Sequence, residues 1–294
     1  MIPLTDSDLN DLNRKGLIPG PTEASDAFLS RVRHCLHLHT LMSQVDMEDS
    51  CVITKEHSEK ILLEAAPLTR RLFDAVPIWV PVFFSNDQLA PWHGGCAWIF
   101  QIEEDAPLGA CFQLRKAFAN RTRYLGIYSR SELIAHETAH VGRMMFQEPE
   151  FEEILAYRTA PSSFRRWFGP IVQSHYESMI FVFLLLLLLI FDLFFVFFGY
   201  FSIYLHAMWL KLIPLGMLAY GLYRLNKRQR AFQKCLDVLK AFLGDEEKAN
   251  AVSYRLTDEE IWTIGKMSQE ELKSYMQEQK KESLRWHVIN ICYT

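Results

Sequence analysis

The strongest hydrophobic pattern in this chain is a nearly uninterrupted apolar run from Met179 to Tyr223. A helix over these 45 residues would measure about 68 Å, which is roughly twice the 30 Å hydrocarbon core of a bilayer. The run therefore predicts a hairpin of two transmembrane helices. We expect the turn between Gly199 and His206, where polar residues and interfacial aromatic residues are concentrated.

Each predicted span carries one charged residue near its middle, Asp192 in the first and Lys211 in the second. A turn centred between Phe201 and Ser202 would place the two side by side. A lone charge is costly at that depth, so we expect Asp192 and Lys211 to form an ion pair. A pair that only fixes the register of the hairpin is favoured over a role in transport or proton transfer.

Outside the hairpin, the pattern changes from helical to alternating and back. Residues 79–84, 96–101 and 124–128 predict short strands separated by turn residues, whereas residues 1–76 and 225–294 predict helices. We therefore expect an α+β fold. It would have an N-terminal helical region (1–76), a core with a small sheet (77–175), the transmembrane hairpin (176–224) and a helical C-terminal tail (225–294).

A short polar motif follows the last predicted strand. Residues 136–140 read His-Glu-Thr-Ala-His, and Ser129 with Glu132 predicts a capping box that starts a helix just before them. Side chains four residues apart lie on one face of a helix, so His136 and His140 can bind one metal ion. Glu137 projects beside them, where its carboxylate can act as a general base. The motif predicts a zinc site.

This motif and the residues that follow it resemble the motifs of the gluzincins. These are zinc metallopeptidases with an HExxH helix and a third zinc ligand, a glutamate, on a following helix. Residues 153–156 read Glu-Ile-Leu-Ala and are similar to the second gluzincin motif, ExxA. The resemblance covers about residues 124–158 and implies a zincin-like core with Zn²⁺ held by His136, His140 and Glu153. Glu152 is the runner-up for the third ligand, since it lies about 100° round the same helix.

The resemblance has one clear departure. Several gluzincin families have an aspartate after the ExxA alanine that orients a histidine, but this chain has Tyr157 there. The residue that orients the imidazoles is therefore not identified by the motif. The motif also does not identify the group that would donate a hydrogen bond to the oxyanion formed during hydrolysis. The candidates are Tyr128, Tyr157, His93 and Arg143.

Charge and cysteine content indicate which partners and which cellular compartment to expect. The formal net charge is −4 without an arginine-rich run, so nucleic acid is not expected as a partner. The six cysteines are scattered and form no CxxC pair, which is typical of a reducing compartment. No signal peptide is expected at the N-terminus. Arginines and lysines flank the apolar run on both sides, so the positive-inside rule predicts that both ends face the cytoplasm.

Together these patterns predict an integral protein of an inner or plasma membrane that hydrolyses peptide bonds at the cytoplasmic surface. The expected mechanism is zinc-dependent, with Glu137 as general base and a peptide or protein as substrate. Membrane metallopeptidases of the HtpX type are a loose analogy, because no hydrophobic span precedes the HExxH helix here. The alternatives are a zincin-like membrane scaffold that does not cleave and, last, a transporter or channel component. The oligomeric state is not predicted.

Overall fold

A computed structural model describes residues 4–42, 51–104, 106–126, 128–173 and 175–294. Its described residues form a mixed α+β structure that is mostly helical, with a small sheet. Before the hairpin, the helices are α1 (Asp6–Arg14), α2 (Ser25–Met42), α3 (Lys55–Leu63), α4 (Ala66–Phe73), α5 (Arg130–Gly142), α6 (Glu152–Tyr157) and α7 (Ser163–Phe168). The hairpin and the region after it contain α8 (His175–Phe197), α9 (Phe201–Ala207), α10 (Leu212–Leu243), α11 (Glu246–Tyr254), α12 (Asp258–Ile264), α13 (Gln269–Glu282) and α14 (Leu284–Tyr293).

The strands are β1 (Cys51–Val52), β2 (Val82–Phe84), β3 (Gly95–Phe100), β4 (Gly109–Leu114), β5 (Arg123–Tyr124) and β6 (Tyr128–Ser129). The first four form one sheet in the order β1-β2-β4-β3, with β2 and β4 parallel and the other two pairs antiparallel. Strands β5 and β6 form a separate antiparallel pair. Strand β3 is therefore an edge of the larger sheet, and α5 packs against it.

Two of the three predicted strands are confirmed in part, and the third is corrected. The structure places β2 and β3 within or close to the predicted runs 79–84 and 96–101. The predicted strand 124–128 is instead interrupted by a turn: Tyr124 ends β5, Tyr128 begins β6, and Leu125 and Gly126 between them have positive φ. Ile127 lies outside the described residues. The prediction also missed β4, the most buried strand, whose sequence contains few β-branched or aromatic residues.

Helix α5, which carries the motif of residues 136–140, lies between two hydrophobic clusters. Ile134, Ala135 and Val141 belong to the cluster that covers the sheet, whereas Ala139 belongs to a second cluster shared by α4, α6 and the C-terminal helices. The residues after 225, predicted as a tail, thus pack into the core around α5. The Tyr254 hydroxyl donates to the Thr138 and Ala139 carbonyls at 3.0 and 3.1 Å.

The apolar run forms a helical hairpin, and two of its helices are long and apolar enough to span a membrane. The first, Tyr176–Phe197, has 22 residues and measures about 33 Å. The second candidate, Phe201–Leu243, has 43 residues and continues into the C-terminal core. The window of highest hydropathy is 0 % buried in the first helix and 6 % buried in the second, so neither resembles the core helix of a soluble protein.

The turn is shorter than predicted. It occupies Phe198–Tyr200, with Gly199 at φ +70°, and residues 201–206 are already helical. Glycine adopts this left-handed conformation without steric cost, so one residue is enough to reverse the chain. A 3₁₀ segment at Met208–Lys211 precedes Pro214, whose ring lacks an N–H for the Leu210 carbonyl.

The predicted ion pair is confirmed, since the Lys211 ammonium lies 3.0 Å from the Asp192 carboxylate. Its depth differs from the prediction, because Asp192 comes five residues before the end of its helix at Phe197 rather than in the middle. A second pair, which the sequence did not predict, closes the other end of the hairpin. There the Arg224 guanidinium donates to both Glu177 oxygens, at 2.6 and 2.7 Å.

Candidate metal centre

Helix α5 presents the two motif histidines on one face. The helix begins where the Ser129 hydroxyl accepts the Glu132 N–H at 3.2 Å, which is one half of the predicted capping box. The Glu132 carboxylate pairs with Arg165 at 2.6 Å. One turn apart, the His136 and His140 rings are separated by 5.2 Å between centroids. Both imidazoles therefore point to the same side of α5.

Helix α6 is held against α5 by contacts from the C-terminal region. Phe151, just before α6, is fully buried among the C-terminal helices. The Asp258 carboxylate accepts the Glu150 and Phe151 N–H groups at 2.8 and 3.3 Å. These contacts set the rotation of α6, and thereby decide which of its two adjacent glutamates faces the histidines. The motif did not indicate a role for Asp258, because this residue lies more than 100 positions further along the chain.

Three predicted ligands lie together in the structure. His136, His140 and Glu153 each offer a ligand atom, and these atoms all lie within 4.8 Å of one another. The Glu153 oxygens are 3.9 Å from His136 Nε2 and 3.6 Å from His140 Nε2. Both Nε2 atoms thus face a single glutamate carboxylate.

Glu152 has a different position from Glu153. Its Oε1 lies 2.7 Å from Nδ1 of His140, on the side of the ring opposite Nε2. The His136 ring packs edge-on against Tyr157, with 4.9 Å between centroids. Each imidazole is therefore oriented by a neighbour on α6, which fills the role left open by the absence of an aspartate at position 157.

The Glu137 carboxylate lies between α5 and the sheet. Its Oε2 accepts the Ala97 N–H of strand β3 at 2.8 Å, and the residue is 8 % exposed. In the antiparallel β3–β4 pair, alternate residues point their main-chain groups away from the partner strand, and Ala97 is one of these. The main-chain groups of Ile99 point the same way. The outer edge of β3 therefore runs beside the candidate centre.

Burial perturbs the protonation of these groups. Burial lowers the pKa of His136 to about 3, and the charges of His140 and Arg165 act in the same direction. Burial also opposes the charged form of His140, but the Glu152 hydrogen bond and the charges of Glu137 and Glu153 outweigh it and raise the pKa to about 9. Burial raises the pKa of Glu137 to about 7. Burial thus favours the neutral form of Glu137, whereas a proton on His140 or a bound cation favours its carboxylate.

The four candidate oxyanion donors differ in their position relative to the candidate metal centre. Tyr157 contacts His136, and Tyr128 lies under the Arg165 guanidinium, 5.3 Å from its ring centroid. Arg143 is fully buried and donates to the Tyr254 and Leu256 carbonyls, so it holds the C-terminal region on α5. His93 is exposed. The sequence did not single out Arg165, which pairs with Glu132 next to this face.

Comparisons with protein-family models, with curated proteins and with solved structures found no match to this chain. The gluzincin resemblance, the peptidase activity and the identity of the metal therefore stay predictions. The geometry of residues 136–157 is the observation on which a function can be proposed.

Proposed function

We propose that this protein is a zinc metallopeptidase of gluzincin type, anchored by its helical hairpin in a membrane. The observation that supports it most is the convergence of His136, His140 and Glu153, with ligand atoms within 4.8 Å. Nine residues separate α5 from α6, so the local sequence does not by itself bring Glu153 close to the histidines. The packing of α6 against α5 does so.

The donor set fits zinc in number and type. Two imidazole nitrogens and one carboxylate oxygen are common ligands of catalytic zinc, which keeps a fourth position for water or substrate. Bond lengths of about 2.0–2.2 Å put neighbouring ligand atoms of a tetrahedral site about 3.4 Å apart. The Glu153 oxygens lie 3.6 and 3.9 Å from the two Nε2 atoms, so the Glu153 carboxylate needs to move only slightly. The Glu152 contact on Nδ1 leaves the His140 Nε2 lone pair for the ion.

When bound, zinc supplies Lewis acidity, which lowers the pKa of a water to about 7 and polarises a carbonyl group. Glu137 takes a proton from the attacking water and passes it to the leaving amine. The Ala97 N–H orients the Glu137 carboxylate for this transfer. Tyr157, which lies against His136, is the proposed donor to the developing oxyanion.

Strand β3 is the proposed binding site for the substrate main chain. An extended peptide that pairs with the outer edge of β3 would add a strand to the sheet and pass beside Glu137. The basic flanks of the hairpin support a position of this edge on the cytoplasmic side of the membrane, in line with the positive-inside rule. Peptides or unfolded protein segments near the membrane surface are therefore the proposed substrates.

A cleavage assay tests the proposal. The purified full chain, reconstituted in lipid vesicles with zinc, is incubated with casein as a disordered substrate, and new N-termini are counted. We expect cleavage by the unmodified protein and a loss of about 10²- to 10⁴-fold in Glu137→Gln, because a general base contributes that much. Glu278→Gln, an exposed glutamate on α13, is the matched control and should cleave normally. Zinc binding without any cleavage would favour the scaffold alternative.

A further inference from the structure

A basic pocket lies at the point where α10 leaves the apolar hairpin. It has a volume of about 340 Å³, within the range of small-ligand sites. Its walls are contributed by α10 and by the end of α12. The side chains that define it are Tyr223, Lys227, Arg230, Lys234, Trp262 and Lys266.

The cations of this basic pocket share one helix face. Lys227, Arg230 and Lys234 are spaced by three and four residues, so they follow one another along one side of α10. All three are exposed, as is Lys266 on the opposite wall. Within the described part of the chain, none of the four forms an ion pair with a carboxylate, whereas nearby Arg224 is paired with Glu177. The basic pocket therefore carries four positive charges without a counter-charge.

The Glu177–Arg224 pair marks the end of the apolar hairpin and gives the depth of the basic pocket. Along the helix axis, Lys227 lies about 4.5 Å beyond Arg224, Arg230 about 9 Å and Lys234 about 15 Å. The headgroup layer of a bilayer is roughly 5–8 Å thick on each side. The basic pocket thus opens at the level of lipid headgroups and of the water just beyond them.

The wall formed by α12 is rigidly placed. Ile261 and Ile264 are fully buried beneath it. Gly265 allows close approach to α10, since a Cβ there would lie 3.3 Å from the Ala231 carbonyl oxygen and the Cys235 nitrogen. Trp262 on this wall stacks with Lys227, whose ammonium lies 5.4 Å from the ring centroid. Packing, rather than solvent-exposed loops, therefore holds the cations and the indole together.

We propose that this basic pocket binds the phosphate-bearing headgroup of an anionic phospholipid. Lysine and arginine side chains neutralise the phosphate, and clusters of such residues directly beyond a membrane span recognise anionic lipids. Tyr223 and Trp262 supply the amphipathic aromatic rings that prefer the membrane interface. The inference rests on the hairpin lying in a bilayer and is independent of the metal centre.

Native mass spectrometry of the full chain in detergent tests the inference. The protein is titrated with dioctanoyl phosphatidylglycerol, dioctanoyl phosphatidylcholine or inorganic phosphate, and bound adducts are counted. We expect the anionic lipid to bind at least about tenfold more tightly than the zwitterionic lipid. The triple variant Lys227→Gln/Arg230→Gln/Lys234→Gln should weaken that binding about a hundredfold, since each basic residue near the surface contributes about a factor of five.

The matched control removes three exposed lysines of α13, as Lys273→Gln/Lys280→Gln/Lys281→Gln. It loses the same net charge and should bind the anionic lipid like the unmodified chain. Equal binding of the two lipids, or an equal loss in the control, would overturn the inference. Tight binding of inorganic phosphate alone would show a site for soluble anions and would also overturn the assignment to lipid. Unchanged helicity by circular dichroism verifies that each variant is folded.

Discussion

Glu152 Oε1 lies 2.7 Å from Nδ1 of His140, while the adjacent Glu153 faces Nε2 of the same ring at 3.6 Å. Two neighbouring glutamates therefore contact opposite edges of one imidazole. The geometry gives them different tasks, because a metal ligand binds through one ring nitrogen while the other needs a hydrogen-bond partner. In the proposed metal site, Glu153 is therefore the ligand and Glu152 orients the His140 ring.

Removing the Glu152 carboxylate should weaken the metal site without abolishing it. In Glu152→Ala the His140 ring loses the acceptor that fixes its orientation, so we expect zinc affinity to fall about 10- to 100-fold. Glu152→Gln should lose less, because its amide oxygen still accepts a hydrogen bond. Competition with a chromophoric chelator measures both affinities. A loss of all binding in Glu152→Ala at saturating zinc would assign Glu152 as a ligand instead.

The Asp192–Lys211 pair should stabilise the hairpin. In Asp192→Asn the lysine keeps its charge near apolar side chains without a carboxylate, so insertion or stability should decrease. The loss should be smaller than that caused by an unpaired charge in mid-membrane, because the pair lies near the turn.

Thermal melting in detergent and the fraction of chain inserted into membranes measure this loss. The exchange Asp192→Lys/Lys211→Asp restores opposite charges and should recover most of the stability. Unharmed assembly together with lost peptidase activity would contradict the structural role.

The buried pair of Glu260 and Arg285 should make stability depend on pH. Arg285 donates to both Glu260 oxygens at 2.8 and 2.9 Å, and the Trp286 indole N–H donates at 2.6 Å. Burial opposes the carboxylate, but these hydrogen bonds outweigh it and hold the pKa of Glu260 below its ordinary value of 4.5. The stabilisation of the fold by the ionised Glu260 is therefore fully present above pH 4.5. It is lost as the pH falls through the lower pKa that Glu260 has in the folded state.

Glu260→Gln should cost about 3–5 kcal/mol at pH 7, because it leaves the Arg285 charge buried without a partner. Melting curves at pH 7 and at acidic pH measure the difference between variant and unmodified chain. That difference should shrink as the pH falls below 4.5. The exposed Glu282→Gln is the control and should melt like the unmodified chain at both pH values. A difference that stays constant with pH would contradict the assignment.

Helix α5 and the apolar hairpin could be predicted from short stretches of sequence. The cap at Ser129 and the spacing of His136 and His140 gave α5, and the continuous apolar run gave the hairpin. These features depend on residues within one or two turns of each other. The Asp192–Lys211 pair was also predictable, because a hairpin leaves few partners for a charge in a span.

Long-range contacts account for what the sequence did not predict. The choice between Glu152 and Glu153 depends on the rotation of α6, which Asp258 and the buried Phe151 set from the C-terminal region. Strand β4 is central because neighbouring elements bury it, although its own residues are weak strand formers. The packing of Tyr254 on α5 joins residues 116 positions apart, and no local pattern indicates it.

Zinc content of the detergent-purified protein, prepared without chelators, tests the central claim most directly. We expect about one zinc per chain in the unmodified protein and in the control Glu278→Gln. Most of the metal should be lost in Glu153→Gln, whereas Glu152→Gln should keep it at saturating zinc. An unmodified protein without zinc, or a Glu153→Gln variant with a full complement of metal, would contradict the three-ligand site and the peptidase mechanism built on it.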